Sequence, residues 1–487
     1  MTDLIIQTHH GKIQGIVEDG VRVWKGIPYA QPPSGELRFK APVPPHAWED
    51  IKVTDRYSPM CIQPMESTSS MLGGGVRKTV SEDCLYLNVW APRKTPIEPL
   101  PVMVWIHGGA FVSGSSSLPT YNGASFVSRG DVLIVTINYR LGPLGFLHLA
   151  PFGTDYDSNA GLLDQIAALR WVQDNISSFG GDPGNVTLFG ESAGSMSIAA
   201  LLAMPSAKGL FHKAIMESGA SQIMPPEQAM KITGGVLQEL GLSPETLDQL
   251  RNLPAESIFE AGERLKKRVG AGANMLFQPV IDPDTMPQEP LQAVHNGSAQ
   301  GIPLLIGTNQ DEGSLFFRPE MPLIKEQDLV RAVEMMTGIE DAAPITREYP
   351  HTIDGHAQIM TDLYFWRSAI RFADVHSEHA PVWMYRFDWK LPGHPVLGKA
   401  MHALEIPFVF NTIHIFENIG YHADTAAQRL AAQMQDAWVA FAHHGSPSTQ
   451  ALPWPEYAEP GRMTMIFDTD SSVIQDPDPD KRQLLGL

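Results

Sequence analysis

Asn185-Val186-Thr187-Leu188-Phe189-Gly190-Glu191-Ser192-Ala193-Gly194-Ser195-Met196-Ser197-Ile198-Ala199-Ala200-Leu201-Leu202-Ala203-Met204 decides the fold. A short β-rich apolar run meets a five-residue turn, and an Ala/Leu-rich run suited to a helix follows up to Pro205. Strand, tight turn and helix around G-x-S-x-G make a nucleophile elbow, which lifts a serine hydroxyl above the sheet beside the N–H groups of a helix N-terminus. Gly190 and Gly194 are expected because a side chain at either would collide with a neighbouring strand or helix as the chain doubles back. Ser192 is therefore the candidate nucleophile.

Upstream and downstream the pattern repeats the same architecture. Leu85–Trp90, Val102–Ile106, Val132–Ile137, Lys213–Ser218 and Pro303–Thr308 are short and mostly apolar, as strands covered on both faces should be. Leu163, Ile166, Leu169, Val172 and Ile176 have helical spacing. The alternation predicts an α/β fold, a mostly parallel central sheet with helices on both faces, built as one domain over 1–487. Residues 4–25 predict a small antiparallel meander, and Gly26–Pro33 irregular structure. Helical insertions over the active site are expected at about 222–272 and 325–380, and a frayed acidic tail over Asp468–Arg482. The Ser- and Gly-rich stretch with Glu66–Ser70 and Gly73–Gly75 reads as a surface loop.

Composition narrows the function. The 487 residues are 43% hydrophobic and 18% charged, with a formal net charge of −19. That field disfavours nucleic acid and anionic membranes as partners. Neither a signal-like N-terminus nor a membrane-length apolar run is present, so a cytoplasmic protein without membrane contact is expected; a monomer is expected, with an oligomer as the alternative. Cys61 and Cys84 are too few for a metal cage; they read as free thiols, with one disulfide as the alternative. No metal or organic cofactor is expected. Gly393–Lys399 mimics a phosphate loop but is followed by Ala400 instead of Ser or Thr, and His376 with His379 reads as a solvated helix face.

A serine needs a base, and the base a carboxylate, following it in the order acid then histidine. Glu312, in Gly307-Thr308-Asn309-Gln310-Asp311-Glu312-Gly313 after a strand, and its neighbour Asp311 are the two candidate acids. His402, ahead of the apolar Ile406–Phe410, is the candidate base. His107-Gly108-Gly109-Ala110-Phe111 follows a strand and can offer backbone N–H groups to an oxyanion: Gly109 and Ala110, with Ala193 as third donor. Met196, Phe316 and Phe317 are candidate walls of a substrate pocket; Leu276, Phe277, Met360, Leu363 and Phe365 either join them or pack the core.

These motifs resemble the type-B carboxylesterase and cholinesterase family over nearly the whole chain. The resemblance rests on Gly26–Pro33 with Arg38-Phe39, Glu82–Val89, His107–Phe111, Asn138–Gly142 and Phe179–Pro183 running into the elbow. It implies an α/β-hydrolase fold, Glu312 as the acid over Asp311, His402 as the base, and Gly109, Ala110 and Ala193 as the oxyanion hole. Glu191 and Ser218 match polar groups near the triad in that family, and Gly108–Phe111 matches an oxyanion loop associated with bulky, even tertiary, alcohol esters. Residues 62–83 hold no Trp, which argues against a choline site. The implied function is a serine carboxylesterase acting on neutral, mainly short-to-medium-chain esters. A lipase, an amide or carbonate hydrolase on the same triad, and a non-catalytic adhesion module are the alternatives.

Overall fold

A computed structural model describes residues 4–64, 79–153, 155–270 and 275–487, the side chain of Met336 apart. The loop expected around Glu66–Ser70 and Gly73–Gly75 lies outside the described residues. In chain order the strands are β1 (Ile5–Thr8), β2 (Gly11–Gln14), β3 (Ile16–Glu18), β4 (Val21–Pro28), β5 (Lys52–Val53), β6 (Tyr86–Ala91), β7 (Leu100–Ile106), β8 (Leu133–Ile137), β9 (Gly181–Glu191), β10 (Lys213–Glu217), β11 (Leu304–Asn309), β12 (Val382–Phe387), β13 (Met463–Phe467) and β14 (Ser472–Gln475).

Eleven of them form one sheet in the order β14-β13-β12-β11-β10-β9-β7-β8-β6-β4-β3. From β8 to β13 every neighbouring pair is parallel; the pairs beyond are antiparallel. Both faces are covered, which is why the central strands are apolar runs and not alternating ones. Val102, Val104 and Ile106 of β7 join one core with helices Ala160–Asn175 and Ala193–Ala203. Met103 and Trp105 point into the other, built with helix Thr425–His444.

Three sequence expectations change. The meander is split: β1 pairs with β2 and β2 with β5 in a small separate sheet, whereas β3 and β4 join the main sheet. Gly26-Ile27-Pro28 is not irregular but the end of β4. Gly26, at φ +68°, sits in a break of register between Trp24 and Ile27. Pro28 is tolerated because β3 covers only Val21–Val23, so the missing N–H faces no strand. The acidic tail is ordered: β14 pairs with β13, and helix Pro479–Leu484 follows. Asp478 meets Arg386 of β12 at 2.5 Å and Lys481 meets Asp362 of the second insertion at 3.1 Å, so charges that read as solvating bind the end of the chain to the rest of the fold, and Arg482 meets Asp476 within the tail at 2.8 Å.

Helices Pro226–Glu239 and Ala255–Val269 lie within 222–272, and Glu326–Thr337, Ile353–Ile359 and Arg367–Ser377 within 325–380. Met360–Trp366 between the last two is a π-helix, a geometry that period counting in a sequence does not detect. His376 does not lie on a solvated face: it is fully buried, its Nε2 2.8 Å from the Ile302 carbonyl.

Two motif arginines are structural. Arg140 is buried and grips Asp164 through Nε and Nη2 at 2.8 and 2.7 Å. Arg38 pairs both ways with Glu82, at 2.7 and 2.6 Å, and reaches the Leu250, Arg251 and Leu253 carbonyls, so it ties the N-terminal segment to the first insertion. Such forked pairs fix geometry as well as charge.

Candidate active site

Three neighbouring strands end at one edge of the sheet, and their ends build the site. β9 delivers Ser192 as the residue before helix Ala193–Ala203, at φ 55° and ψ −121°, a strained conformation for a residue with a side chain. An added Cβ at Gly194 would come within 2.0 Å of the Ile106 carbonyl oxygen, and one at Gly190 within 2.7 Å of it. The turn is therefore packed directly on the end of β7, and that close approach is what demands glycine.

β11 runs into Asp311 and Glu312. Glu312 is fully buried, and its Oε2 lies 2.6 Å from Nδ1 of His402; its Oε1 accepts from the Asn309 N–H at 2.8 Å. Asp311 turns the other way. Its Oδ2 accepts from the Ala400 N–H at 3.1 Å, and it lines a separate polar cavity of about 280 Å³ with Asp362, Arg386 and Lys481. Adjacent residues of one turn thus face opposite sides, and only Glu312 faces the imidazole.

On its far side His402 meets Glu191. Nε2 is 3.0 Å from Glu191 Oε1, a charge contact off the axis of a hydrogen bond. Among the described residues the Ser192 hydroxyl has no hydrogen bond. Burial alone lowers the basicity of His402, but the charges of Glu191 and Glu312, the hydrogen bond to Glu312 and the charge of Glu405 outweigh it and lift the imidazole to about 9. Burial, opposed by His402 and helped by Glu405 and Glu312, raises Glu191 to about 8.

The loop after β7 lies beside the elbow. Gly109, Ala110 and Phe111 all have positive φ, at 111°, 54° and 59°. Phe111 is buried against Phe146, with ring centroids 4.8 Å apart, and its carbonyl accepts from the Gly142 N–H at 2.6 Å, which holds the loop in shape. No hydrogen bond among the described residues takes up the N–H of Gly109, Ala110 or Ala193. Three backbone donors next to a serine are what a developing oxyanion needs.

Of the expected wall residues, Phe316 and Phe365 stack on each other and both pack against His402, their ring centroids 5.2 and 4.7 Å from the imidazole. Met196 is buried one helical turn beyond Ser192, its N–H bonded to the Ser192 carbonyl. Phe317 faces His356 at 6.1 Å, and the Phe277 ring packs about 3.0 Å from where a Cβ on Gly262 would lie, inside the first insertion. Leu276 and Leu363 are buried, and Met360 is half-buried beside them in the same core.

Ser218 is brought in by β10, fully buried, its hydroxyl donating to Glu405 Oε1 at 3.3 Å. Glu405, Glu217 and Asn309 complete the cluster and were not singled out from sequence. Glu405 takes the Asn309 side-chain N–H at 2.5 Å, and burial and Glu312 raise it to about 7. Glu217 takes the Trp438 indole N–H at 2.8 Å, and burial and Glu405 push its carboxyl well above the usual range. A signal was present: Met216-Glu217-Ser218-Gly219 repeats the Glu-Ser step of Gly190-Glu191-Ser192-Ala193, and Glu405 stands three residues after His402.

The sequence pattern of the carboxylesterase family matches residues 2–483. Among known proteins, the chain is 50% identical over 489 residues to a para-nitrobenzyl esterase of Bacillus subtilis, covering all of this chain and 99% of that one. It is 34% identical to a phenmedipham hydrolase of Pseudarthrobacter oxydans, over 98% and 97% of the two chains. Among solved structures, a thermophilic para-nitrobenzyl esterase superposes with a TM-score of 0.95 at 48% identity, over 99% of this chain and all of that one. A Geobacillus stearothermophilus carboxylesterase superposes at 0.88 and 38%, with the same coverage. The fold is that of these α/β-hydrolases, and the chain belongs to the carboxylesterase family as a carboxylic ester hydrolase.

Proposed function

We propose that Ser192, His402 and Glu312 form the catalytic triad of this esterase, with the N–H groups of Gly109, Ala110 and Ala193 as its oxyanion hole. The observation that carries the reading is the 2.6 Å contact of Glu312 with Nδ1 of a histidine set beside a strained serine turn. Glu312 fixes the tautomer, so that Nε2 is the nitrogen left to act as base. His402 takes the Ser192 proton as Oγ adds to the ester carbonyl. The carbonyl electrons collect on an oxygen within reach of the three N–H groups. Collapse of this intermediate expels the alcohol, protonated by His402, and water repeats the cycle on the acyl-enzyme to release the acid.

The substrates are neutral carboxylic esters with short to medium acyl chains. An anionic ester would meet the field of the −19 charge, and Phe316 and Phe365 offer aromatic surface beside the base, with Met196 one helical turn beyond Ser192. Esters of bulky alcohols fit the Gly108-Gly109-Ala110 loop, which places no large side chain beside the donors, and para-nitrobenzyl esters are the natural first substrates to try given the 50% identical relative.

Labelling with a neutral aryl phosphonate tests the reading. One adduct on the Ser192 peptide, and loss of both labelling and para-nitrophenyl ester turnover in Ser192→Ala with an unchanged melt, is the expected result. Retained turnover in Ser192→Ala rejects the triad. On an ester series from acetate to palmitate, a preference for palmitate replaces the esterase with a lipase.

A further inference from the structure

The three backbone donors beside Ser192 are held in different ways. An N–H and the carbonyl before it belong to one planar trans peptide and point in opposite directions, so whatever engages the carbonyl aims the N–H. For Ala193 this is regular structure: the Ser192 carbonyl accepts from the Met196 N–H at 2.9 Å in the first turn of the helix. Gly109 and Ala110 stand in a loop with positive φ and no ladder, so their peptides are held one by one. The Gly108 carbonyl, on the peptide of the Gly109 N–H, lies 2.8 Å from Nδ1 of His107. The Gly109 carbonyl, on the peptide of the Ala110 N–H, accepts from the Val112 and Ser113 N–H groups at 3.0 Å each.

The loop closes at Gly114, φ 112°, whose backbone is pressed on the first of these contacts: an added Cβ there would come within 2.3 Å of His107 Nδ1 and 2.4 Å of the Gly108 carbonyl oxygen. Gly114 is in turn bonded on both sides by a residue 51 positions upstream. Buried Gln63 donates from Nε2 to the Gly114 carbonyl at 2.8 Å and accepts the Gly114 N–H on Oε1 at 2.9 Å, while a second donation to the Cys61 carbonyl at 3.1 Å fixes the amide itself. A side-chain amide thus gives Gly114 the two bonds that a neighbouring strand would. Tyr139 braces His107 separately, its ring stacked at 4.5 Å and its O–H donating to the His107 carbonyl at 2.8 Å. Resting on the oxyanion hole read above, we propose that Gln63 is a positioning residue for it, holding Gly114 against His107 and Gly108 and so aiming the Gly109 and Ala110 N–H groups at the developing charge. A tilt of these peptides takes donors away from the charged intermediate and leaves the contacts of the bound ester in place, so the loss falls on kcat.

The test is kcat per active site, with sites counted by phosphonate labelling, for Gln63→Leu, which keeps the bulk and deletes both bonds to Gly114, and for Gln63→Ala. On a para-nitrophenyl ester, kcat per labelled site should fall by about ten- to a hundredfold with KM within about threefold of the parent. The affinity for an aryl trifluoromethyl ketone, which a serine nucleophile converts to a charged hemiketal, should fall by the same factor as kcat. A role in folding alone lowers the melt and the number of labelled sites but leaves each site as fast as before, so kcat per site within about twofold of the parent in both variants overturns the proposal. So does a fall in kcat with no loss of affinity for the ketone. Amide hydrogen exchange of the parent needs no variant to fold: the Gly114 N–H should be protected, and exchange at the rate of an open chain overturns the clamp. Failure of the triad itself reads out separately, as turnover surviving in Ser192→Ala.

Discussion

Two adjacent strands of this sheet end in the same dipeptide and come to different uses. β9 ends at Glu191-Ser192 and β10 at Glu217-Ser218; the glutamates are in parallel register, and both serines have positive φ, 55° and 53°. The Ser192 N–H even bonds to the Glu217 carbonyl at 2.9 Å, so one turn is stacked on the other. The two ends differ in the segment that succeeds each serine and in the groups that face it. Ser192 opens directly into helix Ala193–Ala203 and lies beside the Gly109-Ala110 loop, with its hydroxyl unbonded among the described residues. Ser218 is followed by Gly219-Ala220, no helix beginning before Pro226, and its hydroxyl is spent on Glu405. Glu191 faces an imidazole, Glu217 an indole. A strained Glu-Ser step therefore does not by itself mark a nucleophile; on the proposed triad, the helix N–H groups and the nearby imidazole set Ser192 apart from Ser218.

The contrast can be broken first at the neighbouring strand end, where Asp311 and Glu312 offer a similar choice. Glu312→Gln keeps the shape but lets the imidazole take the wrong tautomer, and turnover of a para-nitrophenyl ester should fall by about 10³- to 10⁴-fold. Asp311→Asn removes a charge on the far side of the turn while keeping an amide oxygen able to accept from the Ala400 N–H, and should cost less than about tenfold. A larger loss at Asp311 would reverse the choice of acid. Next in size is Ser218→Ala. The bond it deletes is long, 3.3 Å, and reaches the imidazole only through Glu405, so kcat/KM should fall by about tenfold or less. A loss as deep as that of Ser192→Ala would mean that the two strand ends share one function.

The same contrast shows what could be read in the sequence. The elbow was legible because its demands are local: Gly190, Ser192 and Gly194 sit within five residues, between a strand and a helix of opposite periodicity. The sheet was legible from apolar runs that only two-sided burial explains. The charge cluster was legible only in part: Glu312 and Glu191 stand in recognisable motifs, but Glu217 and Glu405 are brought to them by strand order 11-10-9 and by a return of the chain to the imidazole 90 residues after Glu312. A glutamate in a sequence reads as surface, and nothing local marks Glu217 or Glu405 as buried. The acidic tail misled for the same reason, since its partners Arg386 and Asp362 lie 92 and 119 residues away. The split meander turned on register, which depends on strands not adjacent in sequence.

The smallest effect distinguishes the second glutamate from the first. Trp438 donates its indole N–H to Glu217 at 2.8 Å, and the ring packs against Tyr385 and Phe467 at 5.4 and 6.0 Å. Burial and the charge of Glu405 push the Glu217 carboxyl well above the usual carboxylate range, and the partner it holds is the Trp438 indole, not the imidazole. Trp438→Phe keeps an aromatic ring and deletes the donor, leaving a buried carboxyl oxygen without that partner, at a cost of about 1 to 3 kcal/mol in chemical denaturation. The pH profile of turnover should stay where it is. If the acid limb instead moved, Glu217 would be coupled to the base, and the difference between the two strand ends would have to be given up.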